Sequence, residues 1–197
     1  MVDFAKIEKK WQRRWYKEKI FDAKPDSKRK KYFMAAPYPY ASGPLHIGHG
    51  RTYTVADTIS RFKRLQGYNV LFPIAWHVTG TPVLAVAQQI KSKDPKALDQ
   101  YKYYIKYHEK DSNKISKILK SFEEPENVMN YFSKTMINDF KLAGYAMDFS
   151  RQFTTTDKDY NKFIEWQFTH LNDKKYLTQG DFPILYSVDD QNAVGTD

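Results

Sequence analysis

The chain has no cysteine among its 197 residues. That excludes a disulfide framework, a thiolate nucleophile and any zinc site built on cysteine. Long apolar runs are missing too: none approaches the ~20 residues needed to cross a bilayer. The opening segment MVDFAKIEKKWQRRWYKEK is charged and lacks the apolar core of a signal peptide. A cytoplasmic chain with no membrane partner is therefore expected. The five histidines include no pair at the spacing of the zinc-protease helix, so no metal ligand set is expected. Internal repeats and low-complexity linkers are absent. Negative charge is the scarcer sign: 23 Asp+Glu stand against 32 Lys+Arg, a net charge of +9. Such a balance attracts polyanions, nucleic acid first, although many proteins are basic for solubility alone. Hydrophobic residues at 41% and aromatic residues at 16% suit a globular chain rather than a disordered one. The length allows one domain, or one domain and the start of an insertion.

Along the chain, Phe4, Ile7, Trp11, Trp15 and Ile20 recur at helical spacing, predicting an amphipathic helix that packs an aromatic stripe on the body. KYFMAAPYP, residues 31–39, reads as a strand ending at proline. A helix is predicted over 46–66, with Ile47, Val55, Ile59, Phe62 and Leu65 as its inner face and Arg51, Arg61, Lys63 and Arg64 mostly outside. Gly67 stands where a helix stop belongs. NVLFPIAWH, residues 69–77, reads as a second buried strand. The next helix starts near Pro82 with Thr81 as N-cap. Residues 94–142 are rich in Lys, Tyr and Glu with helical periodicity, an excursion out of the sheet. AMDFS at 146–150 and FPILYSV at 182–188 read as strands. Between them runs a helix capped by Thr156 or Asp157, with Phe163, Trp166, Phe168 and Leu171 at its apolar positions. Strand, helix, strand, helix at the start predicts an α/β fold with a parallel sheet.

The segment Pro39-Tyr40-Ala41-Ser42-Gly43-Pro44-Leu45-His46-Ile47-Gly48-His49 falls between the first strand and the first sheet helix. Open α/β sheets bind ligands at that position. A helix N-terminus supplies free N–H groups and partial positive charge, which suits phosphate. Gly43 and Gly48 permit close backbone approach. His46 and His49, three apart, share one face of the first turn and can donate to phosphoryl oxygens as charge develops on them. The alternative is a capped helix start with two incidental histidines.

His46-Ile47-Gly48-His49, with Pro39-Tyr40 and Ser42-Gly43 upstream, resembles the HIGH signature of class I aminoacyl-tRNA synthetases. The resemblance continues through residues 49–54, Asp57, residues 61–73, and Ala75-Trp76-His77-Val78-Thr79-Gly80-Thr81-Pro82. It resumes over residues 148–157, Tyr160 and residues 163–168. Together these are similar to the leucyl-tRNA synthetase family in its archaeal and eukaryotic form. That family more often has Trp and Arg where Phe149 and Ser150 stand.

The resemblance implies the first half of a Rossmann-like, parallel-sheet nucleotide-binding domain. It implies activation of leucine with ATP, accompanied by Mg²⁺, and transfer to tRNA(Leu). ATP binding would fall to Tyr40, Gly43, His46, Gly48 and His49, with His46 and His49 catalytic and Gly48 under the adenine. Tyr40 and His77 match positions lining the leucine pocket; the other reading of His77 is a core histidine. Tyr38 and Trp76 either face substrate or fill the core. The Lys-rich stretch 102–120 is either a solvated helix face or an RNA contact.

A second signature of the family, a KMSKS-like loop, is absent; Ser133-Lys134-Thr135-Met136 has the wrong order. The expected organisation is an N-terminal helical extension over 1–30, the first half of the catalytic domain over 31–181 with the excursion at about 94–142, and the start of an editing insertion over 182–197. A chain of this kind is expected to be inactive alone and to need the missing C-terminal half as partner. The rival readings are a non-catalytic paralogue or fragment binding nucleotide, RNA or a partner chain, and an isoleucyl or valyl enzyme.

Overall fold

The structure, a computed structural model, describes residues 2–188 and 192–193. Its elements are α1 (Phe4–Lys17), β1 (Lys31–Phe33), α2 (Ile47–Leu65), β2 (Asn69–Leu71), β3 (Pro73–Trp76), α3 (Thr81–Lys91), α4 (Pro95–Lys106), α5 (Ser112–Ser121), α6 (Pro125–Leu142), β4 (Asp148–Thr154), α7 (Lys158–Asp173), β5 (Tyr186–Ser187) and β6 (Asn192–Ala193). The chain forms two compact units, Met1–Tyr160 and Asn161–Asp197. None of the helices among the described residues is long and apolar enough to cross a membrane.

In the first unit the sheet is parallel, as expected. β1 pairs with β2, with Tyr32 opposite Val70, and β3 pairs with β4, with Trp76 opposite Thr154. β2 and β3 are one extended stretch interrupted at Phe72. The 76–77 peptide shows how the pieces combine: His77 N–H donates to Pro39 O at 3.0 Å, while Trp76 O accepts from Thr155 N–H at 3.1 Å. The N–H and C=O of one peptide point to opposite sides, so the β1 and β4 stretches flank the 69–77 stretch. Helices α4, α5 and α6 form the predicted excursion. Their inner residues Tyr101, Ile105, Phe122, Phe132, Met136 and Phe140 share one apolar core with Ile74, Trp76, Val83, Val86 and Ile90. Trp76 is therefore a core residue. The lysines at 102, 106, 110, 114, 117 and 120 all lie in exposed positions.

The stop of α2 follows the expectation. Gly67 adopts φ +84°, its N–H donates to Arg64 O, and Tyr68 N–H reaches back to Lys63 O. That is the left-handed glycine termination in which two late carbonyls are satisfied.

Several predictions of facing are corrected. The inner face of α2 is not Ile47, Val55, Ile59, Phe62 and Leu65. Those residues are exposed, Ile47 at 90% and Leu65 at 87%, while Tyr53, Ala56, Asp57 and Ser60 are buried. Arg61 and Arg64 are only half exposed, because both reach back to the body. The cause is polar anchoring, which outweighs the apolar stripe. Asp57 accepts Ala146 N–H at 2.6 Å with one oxygen and Arg61 Nε at 2.7 Å with the other. Arg61 also donates to Gly144 O, and Arg64 donates to Ala146 O, Phe21 O and Val70 O. Burial pushes the Arg64 guanidinium down to about 10, which still leaves it charged at neutral pH.

In α1 the predicted stripe also turns outward: Phe4, Ile7 and Trp11 are exposed, as is Ile20 beyond its end. Trp15 packs edge-on to Phe21, and Tyr16 carries the attachment by donating to Tyr145 O at 3.0 Å. The start of α3 is set by Gly80 at φ +96°, not by a Thr81 side chain; Gly80 is the N-cap and makes no side-chain bond.

In the second unit, Trp166 stacks on His170 at 5.3 Å. The strand predicted over 182–188 is reduced to β5, antiparallel to β6 with Tyr186 opposite Ala193. Residues 189–191 and 194–197, part of the predicted insertion start, lie outside the described residues.

Asp57 is the anchor to test. Asp57→Ala leaves the Ala146 N–H and the Arg61 guanidinium without their acceptor. Equilibrium urea unfolding should show a loss of about 3 kcal/mol, the range for charge-assisted bonds broken at a buried site.

Candidate active site

The turn from β1 into α2 is held from three sides. Tyr53 of α2 donates its hydroxyl to Pro37 O at 2.6 Å. Tyr101 of α4 donates to Ser42 O at 3.0 Å. Tyr40 and His77 form an isolated parallel bridge, with Ala41 fully buried beside it. Burial pushes the Tyr101 phenol up to about 12 and raises Tyr53 further, so both remain neutral donors at physiological pH.

His46 is the N-cap of α2, in extended conformation. Its Nδ1 accepts the Gly48 N–H at 3.1 Å, and His49 Nδ1 accepts the His46 N–H at 3.2 Å. This reciprocal pairing is a capping box made with imidazoles in place of the usual hydroxyl and carboxylate. Each Nδ1 is therefore an acceptor without a proton, and each neutral ring carries its proton on Nε2. The rings lie 4.0 Å apart between centroids, tilted by 43°. No acidic residue occupies the first turn of α2, so the positive end of the helix is not neutralised from within.

Gly48 has a local role that the expectation of ligand approach did not include. A Cβ there would lie 2.8 Å from His46 Cε1 and 2.9 Å from His46 Nδ1. Only glycine lets the ring fold back onto the helix. Gly43 has no such constraint, since a Cβ would meet Tyr104 at 3.9 Å, an ordinary contact.

Tyr40, Gly43, His46 and His49 border one cavity of about 800 Å³. Its other wall is the tyrosine ladder Tyr101, Tyr103, Tyr104 and Tyr107, with His108 and Asp139 at the far end. His108 Nε2 stands 3.6 Å from Asp139 Oδ2; burial raises the Asp139 carboxyl, partly offset by His108. Gly48 and His77 do not line this cavity. His77 stacks on Tyr40 at 4.5 Å with 22° between the planes, on the strand neighbouring the turn. Tyr38 is half-buried and meets Phe153 edge-on at 5.4 Å.

Residues that sequence reasoning missed surround His77. The Thr79 hydroxyl bonds to its Nδ1, and Thr155 is joined to it through Thr79, although Thr155 is 76 positions beyond Thr79 in the chain. The tyrosine ladder had a local signal, its helical spacing over 101–107, but nothing tied it to the turn.

The cap has a pH signature. Burial and the neighbouring His46 lower the His49 imidazole below its usual 6.5. The unfolded chain then binds the proton first, so stability is retained above about 6.5 and lost as pH falls from there through the lowered folded value. His49→Ala should lower stability at pH 7.5 by about 1 kcal/mol, the worth of a helix cap. It should also flatten the decline below pH 6.5, as read by urea unfolding across that window.

Residues 10–196 match the family of tRNA synthetases class I (I, L, M and V). The chain is 50% identical over 192 residues to the leucine–tRNA ligase of Thermoplasma acidophilum, covering 97% of this chain and 21% of that protein. It is 43% identical over 191 residues to that of Staphylothermus marinus, covering 97% and 20%. Thus it spans about one fifth of the length of the curated relatives it matches. Among solved structures it is similar to a leucyl-tRNA synthetase of Agrobacterium radiobacter K84, in a ternary complex with tRNA and LeuAMS. That match has a TM-score of 0.64 at 23% identity, covering 96% of this chain and 20% of the other. A putative arginyl-tRNA synthetase of Campylobacter jejuni aligns with TM-score 0.52 at 16% identity, covering 90% and 42%. These two likenesses bear on the fold, a partial Rossmann-like catalytic domain. The turn from a parallel strand into a histidine-capped helix is thus found in a chain similar to leucine–tRNA ligases nearly throughout, and the chain belongs to the class I aminoacyl-tRNA synthetases.

Proposed function

We propose that this chain carries the HIGH-bearing half of the ATP site of a leucine–tRNA ligase. The observation that supports it most is the imidazole capping box. By giving both Nδ1 atoms to the backbone, His46 and His49 leave two Nε2–H donors without a bond to other described residues. Those donors stand at the unneutralised end of α2, beside the cavity. In the reaction a leucine carboxylate oxygen attacks the α-phosphorus of ATP. The bond from that phosphorus to the bridging oxygen breaks, and pyrophosphate leaves with the charge. Donors aimed at oxygens where charge accumulates lower the barrier more than they strengthen ground-state binding. The leucyl group of the adenylate then passes to tRNA(Leu).

Tyr40 and His77 are proposed on the leucine side and Gly43 against ATP, while Gly48, which the structure uses for the cap, is proposed under the adenine. Among the described residues no group of three or more His, Cys, Asp or Glu is placed to hold a metal ion. Mg²⁺ in this reading arrives with the triphosphate and is held by it.

The histidines are capping residues, so alanine would confound helix loss with chemistry. Asn retains an acceptor for the cap and removes the Nε2–H donor. In the complete ligase, His46→Asn and His49→Asn should each slow leucine-dependent ATP–pyrophosphate exchange by roughly 10²-fold, as for the loss of one transition-state donor. Near-normal exchange in both variants would refute the assignment.

The chain is also proposed to act only with the rest of the ligase. Its relatives are about five times as long, and α2 turns Ile47, Val55, Phe62 and Leu65 outward, a patch suited to a further packed layer. The 197-residue chain alone should give no leucine charging of tRNA above background, measured with host synthetase removed. Robust turnover by this chain would overturn the reading.

A further inference from the structure

His77 is tied to a second strand end by a short chain of hydroxyls whose proton directions can be worked out. Thr155, buried just past the end of β4, accepts two backbone N–H groups with its Oγ1: Val78 at 3.0 Å and Thr79 at 3.2 Å. A hydroxyl oxygen has two acceptor positions and one proton. Both positions on Thr155 are taken, so its proton is free to go to the Thr79 hydroxyl, 3.1 Å away. Thr79 then holds a proton of its own. The acceptor within reach of it is His77 Nδ1, at 3.2 Å. An imidazole that accepts at Nδ1 carries its proton on Nε2. His77 Nε2 makes no hydrogen bond to the described residues, and the ring is held flat against Tyr40.

We propose that Thr155 and Thr79 are positioning residues which hold His77 as an Nε2–H donor, and that the donor recognises a carboxylate or carbonyl oxygen of the aminoacyl substrate rather than its ammonium group. The inference rests on the reading of His77 as a leucine-side residue and adds which substrate atom it meets. A neutral ring with Nδ1 occupied and Nε2 protonated has no acceptor left for an ammonium group. An ammonium ligand would need the opposite tautomer, and that would set the Nδ1 proton against the Thr79 proton. The direction of the relay begins at the backbone. Because the Val78 and Thr79 N–H groups are fixed donors, the orientation passes outward from the sheet to the ring.

Thr79→Val is the discriminating variant. It deletes one hydroxyl at nearly constant shape and leaves the Thr79 main-chain bond to Thr155 in place. Thr79→Ser returns the hydroxyl. Thr155→Val is less informative, since it strands two N–H groups and can unfold the strand end. The first readout is ¹⁵N NMR of the His77 ring in this chain. The wild type should show a hydrogen-bonded, unprotonated Nδ1 and a protonated Nε2. In Thr79→Val the Nδ1 resonance should move toward that of a free acceptor nitrogen, and Thr79→Ser should restore it. A protonated Nδ1 in the wild type, or an Nδ1 resonance unmoved in Thr79→Val, would overturn the relay. The second readout is leucine-dependent pyrophosphate exchange in the complete ligase. Thr79→Val should raise the leucine KM about fivefold to tenfold, the effect of one weakened neutral hydrogen bond, with the ATP KM unchanged and Thr79→Ser near wild type. A shifted Nδ1 resonance with an unchanged leucine KM would leave the relay standing and overturn the substrate contact. That outcome separates the two layers of the inference.

Discussion

The bond from Ala146 N–H to the Asp57 carboxylate sets the orientation on which the candidate site depends. It joins the middle of α2 to the segment that enters β4, across 89 positions of sequence. Arg61 and Arg64, one and two turns on, close the same junction against Gly144 and Ala146. A helix pinned at 57, 61 and 64 has no freedom to roll about its axis. Its first turn is therefore aimed, and with it the two capping imidazoles. Desolvating a carboxylate and two guanidinium groups is costly unless each is bonded. Here Asp57 and Arg61 are bonded to each other, and both arginines to main-chain carbonyls, which makes the junction specific as well as stable.

That junction also explains where reading from the sequence stopped. Local backbone rules were legible: the glycine stop at Gly67 and the helical excursion follow from short-range chemistry, and the parallel sense of the sheet follows from the order strand, helix, strand. The facing of α2 was not, because apolar periodicity marked Val55, Ile59 and Phe62, while the buried side is Tyr53, Ala56, Asp57 and Ser60. Periodicity of that kind registers only apolar side chains, and a half-buried ion cluster around Asp57 that selects the opposite face leaves no trace in it.

The site divides in the same way. Tyr40, His46, Gly48 and His49 lie within ten positions, so their grouping was visible as a motif. What the motif concealed is that its histidines bond to backbone N–H groups of their own turn before they meet any ligand. The Thr79–Thr155 pair is assembled by strand register between β3 and β4, and no single stretch of sequence contains it. Tyr101, which braces the turn at Ser42, arrives from the excursion. The excursion thus supplies part of the wall of the site as well as core.

Gly48 carries a consequence for how such sequences change over generations. With a Cβ 2.8 Å from the His46 ring, every single-base replacement of this glycine pushes against the cap of α2 before any substrate is involved. Folding alone then favours the residue, by about 1 kcal/mol, the worth of a helix cap. A descendant that had lost catalysis but still had to fold would be held to glycine at 48 and to a capping acceptor at 46, but not to Ile47, which is 90% exposed, nor to imidazole as the acceptor. Persistence of Gly48 in a lineage is thus a record of how the helix starts, whereas persistence of the two imidazoles is a record of what the protein still does.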